Sequence, residues 1–129
     1  MDIIRAKGIP IWITAIAILF GAMGTFLGVN ALINPSTAVG FIDGADVLAL
    51  SWAGRNLGLG IALLVAVFVR SAGGYAVAFG GAMFREIGDI FAQTVGDTGF
   101  GFATLAVLAI LELVCFGFAV RAVLAQRDA

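Results

Sequence analysis

Apolar residues along this chain fall into four long runs, which short polar or glycine-rich stretches separate. A helix needs about 20 mostly apolar residues to cross the hydrocarbon core of a bilayer. Four segments meet that length, at about 9–33, 50–69, 73–94 and 100–121. Almost nothing is left over for a soluble domain. The pattern therefore predicts an all-α integral membrane four-helix bundle that forms a single transmembrane domain over residues 1–129.

The longest connection, between the first and second spans, predicts a turn-rich or interfacial segment. It follows Pro35 and contains Gly40, Gly44 and two aspartates. Glycine and aspartate clusters of this kind are typical of turns. Asp43 is also a candidate N-cap for a second helix that begins early, near Ala45.

The charges that flank the spans are one-sided and predict the orientation. Basic residues precede the first span, separate the second from the third and follow the fourth: Arg5, Lys7, Arg70, Arg121 and Arg127. The other two connections have no Lys or Arg and contain Asp43, Asp46 and Asp97. Because Lys and Arg accumulate in cytoplasmic loops, we expect both termini to be cytoplasmic (N-in/C-in). The first apolar run is about twice as long as the apolar region of a signal peptide, so we expect it to be retained.

Ionisable and amide side chains inside the predicted spans are the candidate functional residues. They are Arg55 and Asn56 on span two, Arg85, Glu86, Asp89 and Gln93 on span three, and Glu112 on span four. A charge near the bilayer centre costs at least about 2.5–3.5 kcal/mol on insertion scales, so such groups face the bundle interior and find partners. We therefore expect a buried ionic network in the extracytoplasmic half of the bundle.

The expected pairings follow from reach and from the charge count. Arg55 is within reach of Asp89 or Glu86 on the neighbouring helix. Arg85 is within reach of Glu112, or of Asp89 one turn along its own helix. Two arginines face three carboxyl groups, so one acid, for which Glu112 is the candidate, is left to be protonated or to pair with a bound cation or ligand. The alternative is that these ion pairs only fix the helix register.

The spacing of small residues predicts where helices approach closely. Gly24 and Gly28 form a small-xxx-small pair on the first span, and Gly54 and Gly58 form another on the second. Such pairs let two helix backbones come close together. We interpret both as packing sites within the chain rather than as a dimer interface.

Composition agrees with a membrane domain and excludes several classes of function. Hydrophobic residues make up 62% of the chain and charged residues 12%, against about 45–50% and about 25% in soluble domains. The net charge of −1 and the lack of a basic tail argue against nucleic-acid partners. A single cysteine, Cys115, and no histidine exclude a disulfide, a CxxC centre and the usual haem and zinc ligands. We expect no metal and no cofactor.

Two stretches resemble a known family. "AGRNLGLGIALLVAVFVRSAG" (53–73) and "FREIGDIF" (84–91) are similar to the second and third spans of small bacterial membrane proteins related to the DoxX group, closest to their uncharacterised relatives, which are domains of unknown function. The resemblance implies a four-helix bundle in the bacterial inner membrane and a link to quinone or thiol-stress chemistry. It carries over Arg55, Asn56, Gly60 and Asp89 as motif positions, without a demonstrated catalytic role.

Three kinds of function remain open besides a purely structural one. The first is a non-enzymatic membrane protein whose charged cavity binds a small amphiphile, such as a lipid or a quinone-like molecule, or a partner membrane protein. The second is a proton- or cation-coupled transporter with Glu112 or Asp89 as the carrier. The third is an intramembrane enzyme that uses Glu86 and Asp89 as acid and base. The sequence does not distinguish a homo-oligomer from a larger membrane complex.

Overall fold

The described part of the chain, residues 6–128 of a computed structural model, is all-helical. It contains α1 (Ile11–Ile33), a 3-10 turn (Pro35–Thr37), α2 (Asp46–Phe68), α3 (Ala72–Gln93) and α4 (Gly101–Arg127). No β-strand occurs between residues 6 and 128. The predicted all-α class is confirmed at this level. Arg5, one of the charges behind the predicted orientation, lies outside the described residues.

Three of the four helices, α1, α2 and α4, are long and apolar enough to cross a membrane. α3 has 22 residues, a length that at about 1.5 Å per residue matches the thickness of the hydrocarbon core. It differs from the others because its apolar sequence is interrupted by Arg85, Glu86 and Asp89. The number of spans therefore depends on where these three side chains point.

Local backbone chemistry sets the helix ends. α1 begins directly after Pro10, where the missing amide hydrogen of proline costs nothing. Ser71 caps α3, because its hydroxyl accepts a hydrogen bond from the amide of Gly74 at 3.0 Å. The expectation that Asp43 caps the second helix is wrong. Ala45 occupies the N-cap of α2 and provides no side-chain hydrogen bond.

α1 and α2 pack through a seam of small residues. A Cβ atom at Gly60 would lie 2.5 Å from the backbone nitrogen of Thr25. A Cβ atom at Gly28 would lie 2.7 Å from the backbone nitrogen of Leu57. These contacts are with backbone atoms, which cannot move aside, so the close approach of the two helices requires glycine at both positions.

The expectation that Gly54 and Gly58 also serve packing within the chain is wrong. Both are exposed, and a Cβ atom at either would meet nothing within 4 Å. The face of α2 that meets α1 carries Ala53 and Gly60 instead. The spacing of small residues identifies a smooth helix face, but it does not specify which face meets a neighbour.

The connection between α1 and α2 is turn-rich, as the sequence indicates. The side chain of Asn34 accepts hydrogen bonds from the amide and the hydroxyl of Ser36, at 3.3 and 2.7 Å, and so holds the 3-10 turn. Gly40 has a φ of 71°, and a Cβ atom there would lie 2.5 Å from the carbonyl oxygen of Thr98. This segment therefore rests against the connection between α3 and α4, at one end of the helices.

An apolar core lies toward the other end and draws on all four helices. Its buried side chains include Ile13, Leu63, Phe79 and Cys115. The hydroxyl of Tyr75 on α3 donates to Oγ1 of Thr14 on α1 at 3.2 Å, so this core also contains a buried hydrogen bond. Cys115 is a buried free cysteine within this core.

Candidate functional site

Five charged side chains from α2, α3 and α4 form an ionic cluster toward the end where the two connections meet. Arg55 pairs with Asp89, and Arg85 pairs with both Glu86 and Glu112. Opposite charges thus bridge α2 to α3 and α3 to α4. Of the pairings that the sequence allows, Arg55 selects Asp89 rather than Glu86, and Arg85 selects Glu112 rather than Asp89.

The pair between Arg55 and Asp89 is the more exposed part of the cluster. Nη2 of Arg55 donates to the two carboxylate oxygens of Asp89, at 2.9 and 3.4 Å. The Arg55 side chain is 42% exposed and that of Asp89 is 15% exposed. This pair therefore lies at the mouth of the cluster, with the arginine outermost.

Arg85 is the centre of the buried part. Its Nη1 donates to Oδ1 of Asn56 at 3.1 Å. Its Nη2 is bonded to Glu86 and approaches Oε1 of Glu112 at 3.5 Å. The amide nitrogen of Asn56 donates to the backbone carbonyl of Trp52 at 2.8 Å, which holds Asn56 in position to accept from the arginine. One guanidinium thus connects α2, α3 and α4.

Glu112 is the least satisfied member of the cluster. The residue is only 1% exposed, and its Oε1 has a single long contact to Arg85. Its Oε2 is buried and has no hydrogen-bond partner among residues 6–128. A buried polar atom without a partner costs about 1–3 kcal/mol, so its position requires an explanation.

An inner cavity of about 130 Å³ lies beside the cluster. Its polar lining consists of Asn56, Arg85, Glu86, Asp89 and Glu112. Its larger apolar lining residues are Phe20, Met23, Leu27, Trp52, Leu59, Leu63, Phe100 and Leu108. The cavity is therefore amphipathic, with charged groups on one side and aliphatic and aromatic side chains on the other. Its size is close to that of a cavity of about 150 Å³ that holds benzene.

An outer cavity of about 300 Å³ adjoins the inner one. Arg55 and residues of both connections line it, including Gly40 and Thr98. The two cavities have four lining residues in common: Val39, Trp52, Asp89 and Phe100. Asp89 thus lies at the boundary between the cavities, where its ion pair with Arg55 separates the buried charges from the outside.

Gln93, the remaining candidate from the sequence, lies outside the cluster. Its Oε1 accepts hydrogen bonds from the amide and the hydroxyl of Thr98, at 2.8 and 2.5 Å. Gln93 therefore holds the turn between α3 and α4 and lines neither cavity. The expectation that Gln93 extends the ionic network is not met, because Gln93 is the last residue of α3 and the cluster does not extend that far.

Sequence reasoning missed the aromatic part of the site. Trp52 and Phe100 line both cavities, and Phe20 of α1 lines the inner one. A signal for Trp52 was available, because it precedes Asn56 by one helical turn and so faces the same way. None was available for Phe20 or Phe100, since an aromatic residue in an apolar span faces lipid as readily as a cavity.

The arrangement is better suited to binding than to proton transfer within the cluster. Glu86 and Asp89 are each engaged by an arginine, so neither carboxylate is left free to act as a base. Between residues 6 and 128 no group of three or more His, Cys, Asp or Glu side chains is arranged to hold a metal ion.

Compared with protein-family models, curated proteins and solved structures, the chain matches none of them.

Proposed function

We propose that this protein is a small membrane protein that binds an amphiphile in the inner cavity. The observation that carries the proposal is the combination of an apolar wall with a buried carboxylate oxygen, Oε2 of Glu112, for which the described residues 6–128 provide no hydrogen-bond partner. The head of an amphiphile would lie at the ionic cluster, and its hydrocarbon part would lie against Phe20 and Met23. Lipids and quinone-like molecules are the candidate ligand classes.

The proposal includes a four-helix bundle in which α3 is also a span. Asp89 and Arg85 of α3 are directed at partners on α2 and α4. Its most exposed large apolar residues recur every seven positions and so share one face, which suits contact with lipid: Val77, Phe84 and Phe91. With four spans, the termini are on one side, and the distribution of Lys and Arg favours the cytoplasm.

A bacterial inner membrane and a relationship to the DoxX group are part of the same proposal. They depend on the resemblance of 53–73 and 84–91, which contain four members of the ionic cluster. These four residues, which lie in the two resembling stretches, meet in one site, and this is the observation that supports the resemblance. A solved structure of a DoxX-related protein with the same pairings would provide the direct test.

The experiment for ligand binding is mass spectrometry of what co-purifies with the protein. Gentle detergent extraction should retain a substoichiometric or stoichiometric amphiphile with the unaltered chain. Arg55→Ala and Asp89→Asn should reduce its amount, because both open the mouth of the cavity. Arg121→Ala, which removes an exposed arginine outside both cavities, is the matched control and should retain the ligand. Equal retention in all variants would contradict the proposal.

Proton- or cation-coupled transport is the second candidate, and the position of Glu112 favours it. Asp89 lines both cavities, and Glu112 lines the inner one. The two acids therefore follow one another on the way inward from the outer cavity, as a carboxylate relay requires. Transport predicts that Glu112→Gln abolishes substrate-driven proton movement in proteoliposomes while the fold survives. Persistence of proton movement in that variant would exclude Glu112 as the carrier.

Association with a partner membrane protein or a second copy is an additional part of the proposal. The exposed glycines of α2, Gly54 and Gly58, leave a smooth face that neighbouring helices of the chain do not cover. Native mass spectrometry after mild extraction should then show a dimer or a larger complex. A monomer under those conditions would count against this part and leave ligand binding unaffected.

A further inference from the structure

The inner cavity has more acceptor capacity than donor capacity. Two guanidinium groups face three carboxyl groups in the ionic cluster. Both terminal nitrogens of Arg85 already donate, to Asn56 and to the two glutamates, and Arg55 is engaged with Asp89. What remains is the buried Oε2 of Glu112, which has no hydrogen-bond partner in the described part of the chain. An occupant that donates a hydrogen bond and carries a positive charge would satisfy this oxygen and balance the carboxyl groups.

We infer that the inner cavity takes an amphiphile with an ammonium head, which donates a charge-assisted hydrogen bond to Oε2 of Glu112. This inference rests on the proposed function and narrows it to one chemical class of ligand. Hydrogen bonds between an ammonium and a carboxylate are shorter and about twice as strong as neutral ones. An ammonium head is favourable because its N–H provides the buried Oε2 of Glu112 with a hydrogen-bond donor.

Other head groups fit the same surroundings less well. A phosphate or carboxylate head would add negative charge beside three acids, with no guanidinium left unengaged in the inner cavity. A quinone offers only carbonyl acceptors, so it would leave Oε2 of Glu112 without a donor. The aromatic lining, from Phe20, Trp52 and Phe100, favours a cation further, because cations are attracted to aromatic faces.

The volume of the cavity sets how much of the ligand is enclosed. About 130 Å³ accommodates an ammonium group and the first carbons of a chain. The remaining hydrocarbon would leave along Met23, which lines the cavity and is 46% exposed on α1. A linear primary amine of moderate length therefore fits better than a bulky ring system.

Tryptophan fluorescence provides a direct test. Trp12→Phe leaves Trp52, in the lining of the cavity, as the only tryptophan. This protein, in phosphatidylcholine nanodiscs, is titrated with octylammonium, octanol and octanoate at equal membrane-partitioned concentrations. Octylammonium should give a saturable change in Trp52 fluorescence, with octanol at least ten-fold weaker and octanoate without a saturable response. Sodium chloride at the same ionic strength should give none.

Variants of Glu112 separate the head-group assignment from general effects. Glu112→Gln should weaken the octylammonium response at least ten-fold, whereas Glu112→Asp should keep the preference for ammonium over octanoate, which also shows that the site still folds. Asp43→Asn removes an exposed acid that lines neither cavity and should leave the response unchanged. That control excludes simple accumulation of cations at the membrane surface.

The outcomes distinguish this inference from the proposed function. Saturable binding of octanol or octanoate at equal or higher affinity, or an octylammonium response that survives Glu112→Gln, would overturn the ammonium assignment alone. No saturable response to any of the three would overturn amphiphile binding itself. Replacing part of the phosphatidylcholine with phosphatidylethanolamine identifies the source of the amine. If the site takes a lipid head group, phosphatidylethanolamine will compete with octylammonium. If the site takes a free amine, the octylammonium response will not change.

Discussion

Nη2 of Arg85 lies 3.5 Å from Oε1 of Glu112, while the same nitrogen is bonded to Glu86 on its own helix. The guanidinium is thus shared unequally between two buried acids. Its other terminal nitrogen is held by Asn56. Arg85 therefore has a role that no other member of the cluster has, since it is the only described contact between charged groups of α3 and α4.

The first prediction concerns the loss of that guanidinium. Arg85→Met keeps most of the side-chain volume but leaves Glu86 and Glu112 buried without a countercharge. Removing one partner of a buried ion pair costs about 3–5 kcal/mol. We expect a fall of that size in the free energy of unfolding, measured by equilibrium unfolding in mixed detergent micelles.

Glu112→Gln is the informative comparison for Arg85→Met. The Oε1 contact of Glu112 is long, and its Oε2 has no partner among the residues that the structure describes. We therefore expect Glu112→Gln to lower the free energy of unfolding by less than about 1 kcal/mol. Similar destabilisation by the two substitutions would show that Arg85 and Glu112 form a tight mutual pair, in contradiction to the geometry.

The second prediction concerns the pair at the mouth. Arg55 and Asp89 are joined at 2.9 Å, but Arg55 is 42% exposed. Partly exposed pairs contribute about 0–1 kcal/mol. A double-mutant cycle with Arg55→Met and Asp89→Leu should therefore give a coupling energy of no more than about 1 kcal/mol. A coupling above about 2 kcal/mol would indicate that the pair is closed off from its surroundings.

Sequence patterns predicted the helices and the charges that meet, but not the surfaces that surround them. The partner of Arg55 could be narrowed to Asp89 or Glu86 because a charged side chain in an apolar span has few available partners, and the structure selects Asp89. Gly54 and Gly58 could not be placed, since small residues are compatible with a packed face and with an open one. Phe100 was beyond prediction because it lines the cavity through the fold of two connections that only tertiary contacts bring together.

The third prediction uses that difference between glycines. Gly60→Ala places a methyl group 2.5 Å from a backbone nitrogen of α1, so the two helices must separate. Such overpacking costs about 1–3 kcal/mol. Gly58→Ala, two residues away on the same helix but with nothing within 4 Å, should be neutral or stabilise the protein by up to about 1 kcal/mol. Unfolding of both variants under identical conditions checks the pair, and equal effects would place the seam elsewhere.

The fourth prediction tests whether α3 crosses the membrane. In a Cys115→Ala background, Val69→Cys and Gly96→Cys place single thiols on exposed residues at the two ends of α3. If the charged face of α3 is satisfied by α2 and α4, the helix crosses and the two thiols lie on opposite sides. In right-side-out vesicles, an impermeant maleimide should then label position 96 at once and position 69 only after the membrane is opened. Asp43→Cys, in the connection that packs against residue 98, should label like position 96. Labelling of positions 69 and 96 from the same side would place α3 at the surface of the membrane. Its arginine and acids would then lack the buried surroundings on which the proposed site depends.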